Sequence, residues 1–417
     1  MKAPNREGTN ILVKTEARRV YLDHAATTPV RPEVAQVVMA YMVTDYGNAS
    51  SIHSFGRVAK EATEKARAQV ARVIGARPEE IVFMSGGTEA DNMAIRGALT
   101  ANGEKGRHIV TSKIEHHAVL HVCERLEKDG LAEVTYLPVD GQALLSPEEV
   151  ARAIRPDTVL VSLMFANNEV GTIEPIAEVG RLCRERDVLF HTDAVQAFGS
   201  APISVEEMNI DLLSASSHKI YGPKGVGALY VRKGRKITSL ILGGSQERSR
   251  RAGTSNVPGI VGFGLAAELA EKEMDERGRR LTALRDSLIQ GILERVEFTR
   301  LNGHPTRRLP NNVNISYEFV EGESILLSLD MKGIAASSGS ACTSGSLQPS
   351  HVLTAMGIPS EVTHGSVRMT LGLENTQEDV DYVIATLPPI IDRLRAMSPL
   401  HAKAVAERTA RDESDGH

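Results

Sequence analysis

The residues best suited to chemistry stand at the ends of short apolar runs. The sharpest group is Ser216-Ser217-His218-Lys219, followed by Tyr221-Gly222-Pro223-Lys224-Gly225. A lysine at a strand's end, hemmed in by small residues and leading into a Gly/Pro turn, is partly desolvated. Desolvation lowers its pKa and makes it a Schiff-base candidate; an isolated lysine in a turn reads first as a surface residue, and the other strand ends read beside it reverse that order. Asp193 follows the run Val188–His191, with Gln196 three residues on. A carboxylate at that depth is costly unless a cation faces it. A protonated pyridine nitrogen is such a cation, the arrangement by which a cofactor ring becomes an electron sink. Capping of the next helix is the plainer use of the same Asp.

Three further segments carry candidates. Ser85-Gly86-Gly87-Thr88 lies between an apolar run and a helical stretch, where glycines admit a close backbone approach and a helix N-terminus favours phosphate. It matches neither of the two familiar nucleotide-binding glycine fingerprints, and an ordinary strand-to-helix turn would look the same. Glu115-His116-His117-Ala118-Val119-Leu120-His121-Val122-Cys123 places His117 and His121 four residues apart, a spacing that can share a metal ion. No glutamate falls between them, so a histidine lying over a cofactor ring is the better reading and no metal site is assigned. The last segment is Ser337-Ser338-Gly339-Ser340-Ala341-Cys342-Thr343-Ser344-Gly345-Ser346. A cysteine in such a loop is accessible to a partner, as a reactive thiol requires. Cys123 and Cys183 lie in amphipathic helical stretches and read as buried and inert.

Positioning these groups takes a particular scaffold. Between Glu79 and Val231 the chain repeats a short apolar run, a loop and an amphipathic helix. The runs are Ile81–Met84, His108–Thr111, Val134–Leu137, Thr158–Phe165, Val188–His191, Leu212–Ala215 and Gly227–Val231. Unbroken apolar runs alternating with helices predict an α/β fold with a mostly parallel sheet covered on both faces. Ligands of such sheets bind beyond the carboxyl ends of the strands, where Ser85-Gly86-Gly87-Thr88, Asn167-Asn168-Glu169, His191-Thr192-Asp193 and Ser216-Ser217-His218-Lys219 are placed. Leu281, Leu284, Leu288 and Ile292, then Val380, Val383, Ile384 and Leu387, recur at helical spacing around the strand-like Asn312–Phe319, Ile334–Ser337 and Ser366–Leu371. This pattern predicts a smaller α+β domain. The expected division is a large domain over 28–273, a small domain from 1–27 and 274–398, and a tail over 399–417.

Composition excludes several classes. The chain has 417 residues, 41% hydrophobic and 24% charged, enough for two or three domains without disulfide or metal staples. A formal charge of −5 argues against a sequence-independent nucleic-acid binder, and 4% aromatics with no Trp argue against single-strand stacking platforms. The longest uncharged span, Gly333 to Ser360, is rich in Ser and Gly and unsuited to lipid. Three widely spaced cysteines and no apolar leader predict a cytoplasmic protein with no membrane partner.

Taken together, these residues resemble the group I cysteine desulfurases, the pyridoxal phosphate enzymes that deliver sulfur for iron–sulfur cluster assembly. The match begins at Tyr21-Leu22-Asp23-His24-Ala25-Ala26-Thr27-Thr28-Pro29 and runs to about Met397. Its most specific segments are those around Lys219 and Cys342. The resemblance implies a fold-type-I pyridoxal phosphate enzyme with a seven-stranded sheet, working as a homodimer. It implies that Lys219 binds the cofactor as an imine, Asp193 holds the pyridine nitrogen, Gln196 holds the phenolic oxygen, and His116 stacks on the ring and assists proton transfers. Gly87, Thr88, Ser216 and His218 would hold the phosphate, with Thr254 of the partner subunit. Asn168 and Arg368 would clamp the carboxylate of L-cysteine. Cys342 would take the sulfur as a persulfide and pass it to an acceptor or scaffold protein. A carrier protein without turnover would not need Lys219 and Asp193, and an aminotransferase would have no use for Cys342.

Overall fold

The computed structural model describes residues 18–244, 246–338 and 349–402. In chain order the strands are β1 (Val20–Tyr21), β2 (Ile81–Met84), β3 (His108–Ser112), β4 (Glu133–Leu137), β5 (Thr158–Ser162), β6 (Leu189–Asp193), β7 (Leu212–Ser216), β8 (Gly227–Val231), β9 (Thr299–Leu301), β10 (Asn312–Tyr317), β11 (Ile334–Ala335) and β12 (Ser366–Thr370). The α-helices are α1 (Pro32–Val43), α2 (Ser54–Val73), α3 (Gly87–Ala101), α4 (His117–Lys128), α5 (Pro147–Ala153), α6 (Ile176–Glu185), α7 (Val257–Leu293), α8 (Gly322–Asp330), α9 (His351–Ala355), α10 (Ser360–Thr363) and α11 (Gln377–Ala396).

All seven predicted runs become strands of one sheet, in the order β2-β8-β7-β6-β5-β3-β4. Strands β7, β6, β5, β3 and β4 run parallel, and β8 is antiparallel to both β7 and β2. The apolar runs are unbroken because both faces are covered. Along β5, β6 and β7 the side chains of Val161, Phe190 and Leu213 enter one core, and those of Leu160, Leu189 and Leu212 enter the other. Pairing of Asp193 with Ser214, and of Ser216 with Gly227, brings the polar strand ends into register along one edge of the sheet.

A second core lies around the antiparallel sheet β12-β10-β9 and the parallel pair β1-β11, packed by α8, α11 and the end of α7. Leu281, Leu284, Leu288 and Ile292 line it as their spacing predicts. Helix α7 is far longer than that pattern alone indicates. It begins at the Asn256 cap, whose Oδ1 accepts from Gly259 N–H at 3.1 Å, and continues unbroken past residue 273. The Thr376–Asp379 capping box forms at the start of α11, each side chain meeting the other residue's backbone N–H. No helix among the described residues is long and apolar enough to cross a membrane.

Candidate active site

The carboxyl edge of the large sheet and the turn after β1 enclose a cavity of about 330 Å³. Lys219 enters it from the short helical turn that follows β7. Its ammonium donates to the carbonyl of Ala26 at 2.8 Å and to that of Ala25. Asp193, the last residue of β6, is 6% exposed and its Oδ1 accepts from Val195 N–H at 2.9 Å. Burial pushes this carboxyl up to about 6, while the Val195 N–H and the Lys219 charge pull it back. Asp91 on α3 lines the same floor and is pushed well up by burial and then by Asp193. Glu115, just before His116, is pushed up to about 8 for the same first reason.

His116 caps α4, its Nδ1 accepting from Ala118 N–H at 3.1 Å, so the ring's proton belongs on Nε2. Burial, followed by the charge of Lys219, holds its pKa down at about 4 and leaves the ring neutral. His218 is also held at about 4, by burial and then by Lys219 and Lys224, and its Nδ1 meets Thr27 Oγ1 at 3.1 Å. Gly87 and Thr88 open α3 with no side chain capping its first N–H groups. A Cβ on Gly87 would stand 2.6 Å from Val195 Cγ2, so any larger residue there would displace the Val195 side chain next to Asp193. Gln196 Nε2 donates to the Ala25 carbonyl at 3.0 Å. Arg368, from β12, also lines the cavity; its Nη1 donates to the Asn168 carbonyl at 3.0 Å and its Nη2 to Asp23 Oδ1 at 3.0 Å.

The cavity therefore brings together Gly87, Thr88, His116, Asn168, Asp193, Gln196, Ser216, His218, Lys219 and Arg368. Thr254 does not line the cavity of its own chain and is exposed between β8 and α7, where the expectation assigns it to a second copy. Cys342 lies outside the described residues, and the segments flanking it end at Ser338 and resume at Pro349. The Cys123 and Cys183 thiols are buried and pushed up, Cys123 to about 12. His117 and His121 stack at 4.6 Å, with His351 packed 4.7 Å from His117.

An arrangement of lysine, buried carboxyl, neutral histidine and glycine-opened helix has matches among known proteins. Residues 20–383 match the aminotransferase class-V family model. The chain is 57% identical over 403 residues to the cysteine desulfurase IscS of Methanosarcina thermophila, covering 97% of this chain and 99% of that one. The chain belongs to the cysteine desulfurases of the class-V aminotransferase family. Among solved structures, a NifS-like protein superposes with a TM-score of 0.85 at 38% identity, over 90% of this chain and all of that one. A second, SspA in complex with cysteine, gives a TM-score of 0.75 at 37% identity, over 84% of this chain and 98% of that one.

Pyridoxal phosphate is the cofactor of this family, and the desulfurase's cavity fits it. A buried carboxyl whose charge is offset only partially by Lys219 suits a cationic ring nitrogen. The uncapped N-terminus of α3, beside Ser216 and His218, suits a phosphate.

One set of functional contacts in the desulfurase carries no signal in the sequence. The turn Asp23–Thr28 touches Lys219, Gln196, His218, Tyr221 and Arg368. It has neither helical nor strand periodicity to mark it, and its residue types are ordinary. Only its place at the head of the family match draws attention to it. His24 within it packs edge-on to Tyr21 at 4.8 Å and lies against Gly372, where a Cβ would collide with the imidazole.

Proposed function

We propose that this cysteine desulfurase converts L-cysteine to L-alanine, with Lys219, His116 and Cys342 as its catalytic residues. The observation that carries the reading is the convergence of Lys219 and the buried Asp193 on one cavity that Arg368 also lines. An α-amino acid placed there would have its carboxylate at Arg368 and Asn168 and its α-carbon toward Lys219. Bound pyridoxal phosphate supplies the electron sink that makes the α-proton and the C–S bond labile. Asp193 would keep the ring-nitrogen proton in place, and Gln196 would face the ring's phenolic oxygen. Gly87, Thr88, Ser216 and His218 would hold the phosphate, joined by Thr254 of the partner subunit. The Lys219 amine, once released, would take the α-proton, and neutral His116 would move protons at the substrate through Nε2.

The sulfur step balances within the protein. The Cys342 thiolate attacks the substrate sulfur, an S–S bond forms, and the C–S bond breaks with its electron pair passing to carbon. Protonation of that carbon, return of a proton to the α-carbon and release of the amine give alanine and leave a persulfide on Cys342. An external thiol or an acceptor protein then removes the outer sulfur, and iron–sulfur cluster assembly is the delivery route suggested by the IscS relatives. SspA's complex with cysteine supports the choice of substrate.

The proposed division is a large, cofactor-holding domain over 28–273 and a small domain from 1–27 and 274–398, with residues 1–17, 245, 339–348 and 403–417 outside the described residues. The homodimer reading has support in exposed apolar residues: Met39, Met42, Tyr46, Ile52 and Phe55 lie in and after α1, and Leu240 to Leu242 precede Gln246, which is tied to Ser50. We also read the protein as cytoplasmic, from its three widely spaced cysteines. The test is anaerobic incubation of the purified protein with L-cysteine and a thiol reductant. Alanine and sulfide in equal amounts are expected. Amino-group transfer to an added keto acid, without sulfide, would replace desulfuration with transamination.

A further inference from the structure

The substrate's amino group and carboxylate hang on one carbon, so their two anchors must be held in register. In this fold the anchors come from different sheets: Lys219 follows β7 of the large sheet, and Arg368 lies on β12 of the small one. The segment Asp23–Ala26 joins them. On one side the carbonyls of Ala25 and Ala26 accept from the Lys219 ammonium. On the other, Asp23 Oδ1 accepts from Arg368 Nη2 at 3.0 Å. Asp23 is itself fixed, since its carbonyl accepts from Ala26 N–H and from the Tyr21 hydroxyl, both at 3.0 Å, and it bridges to Thr370.

Arg368 needs such a partner. Its side chain is only 3% exposed, and buried guanidinium N–H groups left without an acceptor are costly. Its backbone is pinned by exchange of two hydrogen bonds with Ser337, at 2.7 and 3.1 Å, but four side-chain torsions separate that anchor from the charged head. Asp23 and the Asn168 carbonyl take one N–H each from the two terminal nitrogens. The remaining N–H groups include Nε, which is buried and has no hydrogen-bond partner among the described residues. Donors left over on an otherwise fixed guanidinium that lines the cavity are what a carboxylate ligand requires.

We propose that Asp23 is a positioning residue for substrate binding: its carboxylate fixes the Arg368 guanidinium so that the substrate carboxylate meets the donors left free, in register with Lys219. This inference rests on the reading of Arg368 as the carboxylate anchor. It concerns acceptor geometry at Oδ1, so the variants separate geometry from charge. Asp23→Ala removes the acceptor, Asp23→Glu keeps the charge and displaces it by a methylene, and Asp23→Asn keeps an oxygen in place.

The experiment is titration of each cofactor-loaded variant with L-alanine, followed by the cofactor's absorption, alongside KM and kcat for L-cysteine. For Asp23→Ala, L-alanine Kd and L-cysteine KM are expected to rise about tenfold, the order of one lost charge-assisted contact, with kcat changed less than about threefold. Asp23→Glu follows in the same direction, and Asp23→Asn stays within about threefold of the parent on both measures. The absorption of the bound cofactor without ligand is unchanged in all three.

Wild-type affinity in Asp23→Ala or, should that variant not fold, in Asp23→Glu would overturn the inference. So would an Asn variant as weak as the Ala variant. Loss of cofactor absorption together with affinity would also overturn it, by showing that Asp23 only supports the turn. Arg368→Ala serves as the control for the underlying reading. If it binds L-alanine as tightly as the parent, the assignment of Arg368 fails and not the role of Asp23 alone.

Discussion

Lys219 reaches the carbonyls of Ala25 and Ala26 from the end of β7, and truncating it removes the amine that faces the cavity. Lys219→Ala is expected to lose the absorption of the lysine-bound cofactor and all alanine formation, as a spectrum and a product assay will show. Cys342→Ser separates the two properties: the spectrum stays and desulfuration is lost. Retention of full cysteine-dependent turnover in that variant would remove the persulfide assignment. His116 gives a prediction in pH. Burial holds its pKa at about 4, so it is already neutral throughout the range where a free histidine would titrate. The pH–rate profile should therefore show no acid limb near 6.5 from this residue, while His116→Ala lowers kcat by about 10²–10⁴, the usual worth of a general acid–base group.

At the scale of elements, α3 couples the glycine turn to Asp193. A Cβ at position 87 would press on Val195, whose N–H supports the Asp193 carboxyl. Gly87→Ala is expected to weaken cofactor binding about tenfold or more, corresponding to overpacking of about 1–3 kcal/mol, as measured by equilibrium titration with pyridoxal phosphate. Thr376→Ala, far from the cavity, gives the contrast: about 1 kcal/mol of stability lost in urea with kinetics untouched, since only the α11 cap is removed. The strand ends were legible because two-sided burial leaves unbroken apolar runs, which stop where the polar Ser85, Asp193 and Ser216 segments begin. Helix α7 was only half legible. Its first half buries small residues such as Gly262, Gly264, Ala266 and Ala267, which carry little hydrophobic contrast, and its second half shows the leucine stripe. The turn Asp23–Thr28 works through backbone carbonyls and short side chains, whose contacts no residue pattern announces.

Among the described residues, two sets of wholly or partly buried groups, histidines and carboxyls, oppose each other in their effect on stability. His24, His116, His218 and His351 are held at about 4 and His191 at about 3, all chiefly by burial. In the unfolded chain these histidines would bind protons below about 6.5, so they favour unfolding as pH falls through that window. Glu115 and Glu174 are pushed up to about 8, Glu169 to about 7 and Asp193 to about 6, again chiefly by burial. These carboxyls hold protons in the folded state that the unfolded chain has released above about 4.5, so they favour unfolding as pH rises toward 8. The two sets offset each other between about 4.5 and 6.5, and each acts alone outside that interval. Stability of the cofactor-free protein should therefore be greatest on the acidic side of neutrality and decline from pH 6.5 to 8. Urea midpoints at three pH values check this, and a midpoint rising steadily from 6.5 to 8 would show that the buried carboxyls ionise freely.

The most direct test of the chemistry is mass spectrometry of the peptide containing Cys342, after anaerobic exposure of the cofactor-loaded protein to L-cysteine without reductant. One added sulfur atom on that peptide, one alanine released per active site, and neither in Lys219→Ala is the predicted result. Alanine formed with Cys342 unmodified, or sulfur on Cys342 without alanine, would contradict transfer of the substrate sulfur to that residue.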